Sequence, residues 1–339
     1  MLRGFSKFDI CTIGAGTRDV FITSSHFERQ NDPHAPAGFD ACFPMGTKIE
    51  LDDIIFETGG GATNAAVTFQ NFGLKTACLT AVGADDNGRA VISSLKKHKV
   101  NIKGIQIIQQ KKTSYSIILL AGTGERSILV YRGASNDLEP EKINWNKFKC
   151  SWLYLTSLGG SLKKNQIIFN TATHSDKSIA WNPGNGELKL GLQKLSPLIR
   201  HTDIFIVNRE EAALLTEQAP RHLDLIIKKL GRLPRRTLII TDGPHGAYAY
   251  DIQKKILSHA DILPGRRINT TGAGDAFGSA FTAAYIITKN LEEGLRAGTV
   301  NSLGVITHMG AKAGILNKYP TLKDLKRVHI THIKDYELS

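Results

Sequence analysis

The sequence alternates short runs rich in β-branched and aromatic residues with longer runs of helical periodicity, and this alternation restricts the fold more than any other feature. FDICTIG (8–14) and DIFIVN (203–208) are typical of buried strands, whereas GATNAAVTFQNFG (61–73) has the spacing of a helix. Further strands are expected at 75–83, 151–158, 178–184 and 236–243, and further helices at 86–98, 272–289 and 291–308. Strands separated by helices pair in parallel. The chain is therefore predicted to form an α/β fold with a mostly parallel sheet flanked by helices.

The middle of the chain has a different pattern. TSYSIILLAGTGERSILVYR (113–132) consists of two strand-like runs around a glycine-rich turn, which is typical of a hairpin. Residues 18–56 contain further strand-like pieces around a loop rich in proline and glycine. We assign 18–50 and 113–132 to a small β subdomain, and 1–17, 51–112 and 133–339 to an α/β core.

Composition narrows the class of protein. A chain of 339 residues, 41% of them hydrophobic, is long enough to bury a sizeable core. The apolar run after Arg3 and Lys7 is too short for a signal peptide, and no segment has the length and apolar character of a membrane span. The four cysteines are widely spaced and form no disulfide or zinc pattern. A cytoplasmic protein with reduced thiols and no membrane contact is expected.

The formal net charge of +12 is spread along the chain, apart from short clusters such as KKHK (96–99) and KKLGRLPRR (228–236). Runs of this kind usually form solvated faces, so a nucleic-acid partner is not expected. A positive surface also attracts nucleotides and phosphorylated metabolites, and the charge alone does not choose among these partners.

The most informative motif is NTTGAGDAFGSAF (269–281), in which a Gly-Ala-Gly turn and one aspartate precede an apolar helix. A helix start has unpaired N–H groups and a partial positive charge, so the amides of Gly272, Ala273 and Gly274 are suited to bind an anion. Asp275 would then lie beside that anion. An ordinary helix N-terminus with a threonine cap explains the same residues, and this stretch alone does not separate the two interpretations.

Familiar nucleotide fingerprints are missing from the sequence. GAGTRD (14–19) follows the first strand but lacks the third glycine of GxGxxG, and no GxxxxGK[ST] motif occurs. Three polar stretches remain near predicted strand ends, namely Asp19, GGGATN (59–64) and NREE (208–211). Open α/β sheets bind ligands at strand ends.

Together these motifs resemble the ribokinase-like, or PfkB, family of carbohydrate kinases, from about Phe8 to Gly314. NTTGAGDAF resembles the family's C-terminal signature, and the segment 59–88 its N-terminal signature. NREE matches its Asn-x-x-Glu motif, TDGPHG (241–246) resembles its nucleotide-contacting loop, and GERSILVYRGA (124–134) resembles a lid hairpin. The resemblance implies a Rossmann-like three-layer α/β/α sandwich with a small β-sheet lid that closes over the acceptor.

The resemblance also implies transfer of a phosphoryl group from ATP to a hydroxymethyl group. In that reaction Asp275 accepts the proton of the attacking hydroxyl, while the amides of Gly272, Ala273 and Gly274 meet the negative charge of the γ-phosphoryl group. By the same resemblance Glu211 acts through water on Mg²⁺.

Further nucleotide-side residues follow from the resemblance. Asn208 would contact the phosphates, although NREE is equally typical of a capped helix in which Asn208 and Glu211 form a capping box. The remaining residues expected near the nucleotide, for which a plain turn is the alternative, are Thr241, Gly243, Gly246 and Thr271.

On the acceptor side, Asp19, Gly60 and Asn64 match family positions that hydrogen-bond sugar hydroxyls. Asp19 could instead cap a turn, and Asn64 could be a surface residue of a helix. Arg132 either pairs with a carboxylate or phosphate of the substrate or is a solvated arginine of the lid.

The chain departs from the family pattern at two positions. Asn269 stands where the signature usually has an aspartate associated with a monovalent cation, which leaves a K⁺ requirement open. Gly61 replaces the lysine of the Gly-Gly-Lys-Gly-Ala-Asn sequence typical of ribokinases, and the loop 26–46 has a character of its own. The acceptor therefore stays open among ribose, fructose, a keto-deoxy sugar acid and a nucleoside.

A sugar kinase is the expected function. A nucleoside kinase of the same fold is the alternative, with Phe39, Phe43 or Tyr115 as a wall for the base. A non-catalytic ligand sensor or nucleic-acid-binding protein is the third hypothesis, and the presence of both Asp275 and Glu211 argues against it. Exposed edges of the lid strands predict a homodimer through the lid.

Overall fold

The computed structural model describes residues 7–34, 38–42, 45–120, 126–333 and 336. The strands of these ranges are, in chain order, β1 (Phe8–Ile13), β2 (Thr17–Thr23), β3 (Glu28–Asn31), β4 (Phe39–Cys42), β5 (Asp53–Gly59), β6 (Thr76–Leu79), β7 (Ala81–Gly83), β8 (Gln106–Ile108), β9 (Ser114–Leu120), β10 (Arg126–Tyr131), β11 (Cys150–Leu155), β12 (Ser178–Trp181), β13 (Ile204–Asn208), β14 (Thr237–Thr241), β15 (Ala247–Asp251), β16 (Ile256–Ala260) and β17 (Ile330–Ile333). The helices are α1 (Gly61–Asn71), α2 (Asp86–Lys97), α3 (Leu162–His174), α4 (Asn185–Leu188), α5 (Leu192–Ile199), α6 (Arg209–Thr216), α7 (Leu223–Leu230), α8 (Ala273–Thr288), α9 (Leu291–Ile306) and α10 (Leu322–Lys326).

In the described part of the chain, nine strands form the large central sheet, in the order β17-β16-β15-β14-β13-β12-β11-β1-β6. The six strands from β6 to β14 are parallel, and β14 to β17 pair antiparallel. Helices connect β11, β12, β13 and β14 because a parallel pair needs a long crossover, whereas β14, β15 and β16 follow one another through short turns. The mostly parallel sheet predicted from the sequence is present.

Both faces of this sheet are buried. Along β11, Leu153 and Leu155 join one apolar cluster, whereas Trp152 and Tyr154 join a second cluster. Successive side chains of a strand point to opposite faces, so the two clusters lie on opposite sides of the sheet. The first cluster contains residues of α3, α5, α6 and α7, and the second contains residues of α1, α8 and α9. This three-layer α/β/α arrangement confirms the predicted fold class.

A smaller sheet of four strands has the order β10-β9-β2-β5. β9 and β10 pair antiparallel, as expected of a hairpin, and the turn 121–125 lies outside the described residues. β2 pairs in parallel with β9 and antiparallel with β5. From the sequence, β5 falls within the range 51–112 assigned to the core. Its membership of the small sheet was not visible there because only Gly60 separates β5 from α1, and no loop marks a boundary.

One expected strand is divided in the structure. The run 75–83 was predicted as a single strand, but β6 pairs with β1 in the large sheet and β7 pairs with β8 in a separate two-stranded sheet. Every residue of both strands is buried, so the apolar pattern does not show the change of partner. Within the ranges that the structure describes, no helix combines the length and the apolar character needed to cross a membrane.

Candidate active site

A cavity of about 300 Å³ lies at the carboxyl ends of the parallel strands, beside the start of α8. β13 ends at Asn208 and β14 ends at Thr241, and both residues line the cavity. Gly274 and Asp275 line it from α8, and Glu211 from α6. Parallel strands deliver their carboxyl ends to one edge of a sheet, which is why residues far apart in the sequence meet here.

A second cavity, of about 390 Å³, adjoins the first and shares Asn208, Thr241 and Gly274 with it. Gly243 and Gly246 line it on one side, and the apolar side chains that line it include Leu263, Phe277 and Leu303. A molecule with an apolar ring in the second cavity can therefore extend a polar end past Gly274 to Asp275.

Asp275 lies in the first turn of α8 and is held by Asn64, whose Nδ2 donates to its Oδ2 at 2.9 Å. Burial raises the pKa of Asp275, while the hydrogen bond from Asn64 and the positive charge of Lys312 oppose that rise. The negative charge of Asp19 adds to it. A carboxylate that lines a cavity, has a fixed orientation and has a raised pKa is typical of a general base.

The Gly-Ala-Gly turn before Asp275 begins with a glycine that has a positive φ. Gly272 is the N-cap of α8 with φ of 84°, and a Cβ at this position would lie 2.5 Å from the Cβ of Ala311. Only glycine fits such a position without strain. The Ala273 N–H donates to Thr270 O at 3.2 Å, so this amide closes the turn. Gly274 has open space around it, because no heavy atom of the described residues, apart from its chain neighbours and the backbone of α8, lies within 4 Å of a Cβ built there.

Asn208 and Glu211 form the capping box that the sequence allowed. Asn208 Oδ1 accepts from the Glu211 N–H at 2.7 Å, and Glu211 Oε2 accepts from the Asn208 N–H at 2.8 Å. Burial raises the pKa of Glu211, the Asn208 N–H opposes this, and the negative charge of Asp275 adds to it. The box uses only one of the two carboxylate oxygens of Glu211, which lines the first cavity. A carboxylate beside the glycine turn suits Mg²⁺, which keeps several waters and uses few protein carboxylates.

Three of the residues expected near the nucleotide, Thr241, Gly243 and Gly246, line the second cavity. Gly246 has φ of 88°, and a Cβ there would lie 2.0 Å from Ala260 O, so this turn requires glycine. Thr271 lines neither cavity. Its N–H donates to Asn269 Oδ1 at 2.6 Å, and its Oγ1 is buried without a partner among the described residues.

The residues expected on the acceptor side lie behind the first cavity rather than in its lining. Asp19 is buried in β2, accepts a hydrogen bond from Thr17 at 2.9 Å, and has its pKa raised by burial. Gly60 has φ of 93° and packs against Ala15 O. Asn64 is buried in α1, which excludes the surface position considered from the sequence, and acts on the cavity through Asp275.

Two of the aromatic residues considered for a base-binding wall, Phe39 and Tyr115, do not line either large cavity. Phe39 is on β4 and Tyr115 is on β9, while Phe43 lies outside the described residues. Arg132 lines a smaller cavity, of about 30 Å³, together with Thr17 and Ser135.

Sequence reasoning missed three residues around the site. Arg126 of β10 lines the second cavity, and its Nη1 donates to Thr270 Oγ1 at 2.5 Å, which joins the small sheet to the turn before α8. Glu187 is fully buried and accepts from the N–H groups of Leu158 and Gly160 at 2.7 and 2.9 Å. The buried Lys312 is described below. A charged residue among small or apolar neighbours, as in the GAKAG segment around Lys312, was the available signal.

Asn269, which stands where the family signature usually has an aspartate, is buried. Its Oδ1 accepts the Thr271 N–H, and its Nδ2 contacts the sulfur of Met309 at 3.2 Å. The neutral amide is therefore engaged within the turn and with the segment after α9.

Two adjoining cavities that share Gly274, one of them lined by the neighbouring Asp275, are typical of an enzyme that brings two substrates together, here on a three-layer α/β/α fold. The sequence of residues 38–318 matches the family model of the pfkB family carbohydrate kinases. The chain belongs to this family, and it is a ribokinase-like carbohydrate kinase.

Similar proteins agree with this assignment. The ribokinase of Bacillus subtilis is 26% identical over 311 residues, which cover 91% of this chain and 96% of that protein. The structure of Arabidopsis thaliana ribokinase complexed with ribose and ATP has a TM-score of 0.76 at 19% identity, covering 94% of this chain and 98% of that one. The Methanocaldococcus jannaschii nucleoside kinase has a TM-score of 0.74 at 20% identity, covering 96% and 99%. At these identities the structural likeness shows the fold.

Proposed function

We propose that this carbohydrate kinase transfers the γ-phosphoryl group of ATP to a hydroxymethyl group of a sugar, with Asp275 as the general base. The observation that carries the proposal is the position of Asp275 in the lining of the first cavity, one residue after Gly274, which both cavities share. An acceptor in the first cavity and a nucleotide in the second would meet at this carboxylate.

In the proposed reaction, Asp275 takes the proton of the acceptor hydroxyl while the oxygen of that hydroxyl forms a bond to the γ-phosphorus. The bond between that phosphorus and the bridging oxygen of ADP breaks, and the electron pair leaves with ADP. The Gly272 and Gly274 N–H groups and the positive end of α8 stabilise the negative charge on the transferred group. Ala273 holds the turn closed through its bond to Thr270.

Asn208 and Glu211 are proposed to serve the phosphates and the metal ion. Mg²⁺, when bound, supplies positive charge that neutralises the phosphates. Glu211 would orient a water of that ion through the carboxylate oxygen that the capping box leaves free. Thr241, Gly243 and Gly246 would contact the nucleotide in the second cavity, and Thr271 would support the anion-binding turn.

The four-stranded sheet is proposed to act as the lid, with the remaining α/β layers as the core. The contact of Arg126 with Thr270 supports this role because it ties the lid to the start of α8. Asp19, Gly60 and Asn64 do not line the first cavity, and we propose that they position the sugar from behind its wall, where Ala15 before β2 and Gly61 of α1 line it. A cytoplasmic location is proposed because four free thiols suit a reducing compartment.

A nucleoside kinase is retained as the second candidate because the M. jannaschii nucleoside kinase superimposes over almost the whole chain. The test is ADP release with Mg-ATP against ribose, fructose, 2-keto-3-deoxygluconate, ribose 1-phosphate, adenosine, inosine and cytidine. We expect turnover with a sugar and about 10²- to 10⁴-fold less with Asp275→Asn. Turnover with a nucleoside alone would select the second candidate, and an Asp275→Asn variant with wild-type turnover would refute the proposed base.

A further inference from the structure

Lys312 lies in the segment after α9 and is buried, with 7% of its surface exposed. Its Nζ donates to Thr58 O at 2.8 Å, to Thr58 Oγ1 at 3.2 Å and to Thr63 Oγ1 at 2.8 Å. An ammonium group has three N–H donors, so these three acceptors satisfy it completely.

The acceptors of Lys312 are neutral oxygens, and no carboxylate of the described residues forms an ion pair with it. Burying an ammonium group costs free energy that an apolar side chain of similar length does not. If this side chain only filled space, an apolar residue would therefore give a more stable fold. The buried positive charge of Lys312 calls for another explanation.

The acceptors stand on either side of the glycine turn between β5 and α1. Thr58 belongs to β5, Thr63 lies in the first turn of α1, and Thr63 Oγ1 also donates to Gly59 O at 2.6 Å. Asn64, which holds Asp275, is the next residue of α1. A shift of this turn would therefore displace the hydrogen bond that orients the proposed base.

Titratable groups from four elements surround Lys312. Burial lowers the pKa of Lys312 to about 8, against the opposing effects of Asp19 on β2, Cys78 on β6, Glu57 on β5 and Asp275 on α8. In return the ammonium lowers the pKa of Asp275, Asp19 and Cys78, and it also lowers that of His98 after α2. Asp275 in turn acts on Glu211 and Tyr154.

We propose that Lys312 is a positioning residue of the kinase reaction, whose ammonium group fixes the glycine turn between β5 and α1 and offsets the negative charges of Asp19 and Asp275. The proposal rests on the function proposed above, because it assigns Lys312 the task of keeping the base oriented and ionised.

The test compares the dependence of kcat/KM on pH for three variants. Lys312→Met removes the charge and keeps the length of the side chain. Thr63→Val keeps the charge and removes one of its acceptors. Lys289→Met is the matched control, since Lys289 follows the last turn of α8, roughly 20 Å along the helix from Asp275, and stacks on Trp152.

We expect the kcat/KM of Lys312→Met to be lower than that of the wild type by about tenfold or more at pH 6. Without the ammonium group, Asp275 of the variant binds a proton more readily. The acid limb of the profile moves to higher pH, and the ratio of wild type to variant narrows above pH 8, where wild-type Lys312 also loses its charge. Thr63→Val should lower kcat/KM by the same factor at every pH. The kcat/KM of Lys289→Met should equal that of the wild type at every pH.

An equal loss at every pH for Lys312→Met would overturn the electrostatic part of the proposal, and a wild-type rate for Thr63→Val would overturn the positioning part. If Lys312→Met does not fold, Lys312→Arg replaces it, and its acid limb should stay at the wild-type position.

A readout that needs no turnover separates this proposal from the proposed function. The ¹³C carboxyl resonance of Asp275, identified by its loss in Asp275→Asn, is titrated in wild type and Lys312→Met. Its midpoint should move to higher pH in the variant. An unchanged midpoint overturns the proposal for Lys312, whereas silence with every acceptor, together with a shifted midpoint, refutes the kinase chemistry alone.

Discussion

Asp275 is the residue at which the proposed function and the stability of the fold oppose each other. Its raised pKa means that the folded chain binds a proton at this carboxyl more tightly than the unfolded chain does, so the ionised form destabilises the fold. The cost is absent below the usual aspartate pKa and is complete above the raised pKa. We expect Asp275→Asn to unfold at a higher temperature than wild type at pH 7, with a difference that shrinks as the pH falls toward about 3.

Thermal unfolding followed by circular dichroism between pH 3 and 8 checks this expectation, with Asp40→Asn, at an exposed position of β4, as the control. A less stable Asp275→Asn variant at pH 7 would mean that the hydrogen bond from Asn64 outweighs the cost of burying the charge.

The two glycines of the turn before Asp275, Gly272 and Gly274, should respond differently to an added methyl group. Gly272→Ala meets both a left-handed φ and the side chain of Ala311, so we expect a loss of about 1–3 kcal/mol in unfolding free energy. Gly274→Ala meets no described side chain or neighbouring segment within 4 Å, and it lies in α8, where alanine is favoured over glycine by up to about 1 kcal/mol.

Urea unfolding and turnover, measured together, separate the two glycine variants. Gly274→Ala should keep its stability and lose turnover, because its methyl group enters the boundary shared by both cavities. Full turnover in Gly274→Ala would place the phosphates elsewhere.

At the scale of elements, the start of α6 combines a cap and a proposed metal-binding role, and two variants separate them. Asn208→Ala removes the cap and should cost about 1 kcal/mol of stability. Glu211→Gln keeps the bond from the Glu211 N–H to Asn208 and removes only the negative charge. It should require more Mg²⁺ for half-maximal turnover at little cost in stability.

Turnover is measured as a function of Mg²⁺ concentration for both variants and the wild type. An unchanged Mg²⁺ dependence in Glu211→Gln would leave Glu211 with the capping role alone.

Elements that begin beside a glycine or a capping residue could be predicted from the sequence. The sheet to which a strand belongs depends on distant partners and could not always be predicted. α1 and α8 begin next to Gly60 and Gly272, both at positive φ, and lie within about two residues of their expected limits. β5 and β7 belong to sheets that only distant partners reveal. Asp275 stands out through its motif. The local GAKAG sequence marks Lys312 as unusual but does not reveal its partners Thr58 and Thr63, which are more than 240 positions away.

At the scale of the whole molecule, the four-stranded sheet that we propose as the lid presents apolar side chains to solvent. Ile128, Leu129, Val130 and Tyr131 of β10 are each at least 43% exposed, and Phe56 of β5 is 51% exposed. An edge strand with this composition is suited to pair with another chain. We expect a homodimer through the lid, and Leu129→Asp should convert it to a monomer.

Sedimentation velocity across a range of concentrations measures this equilibrium. The control is Leu322→Asp, which changes an exposed leucine in α10, remote in sequence from the lid. A wild-type chain that stays monomeric at high concentration, or a dimer that Leu129→Asp leaves intact, would contradict the prediction.

The hydrogen bond between Asn64 and Asp275 spans 211 positions of the chain, and the bonds of Lys312 span 249 and 254. Contacts of such high sequence separation form late, because the entropy of closing a long loop must be overcome first. At roughly 5–20 residues per second, a ribosome that has synthesised Asn64 needs about 10–40 s more to reach Asp275. During that interval α1 has its apolar face but not the helix α8 that covers it. The nascent kinase therefore passes through a stage in which much of its sheet can be paired but Asp275 has not yet been synthesised. During this stage the apolar face of α1 is available to chaperones.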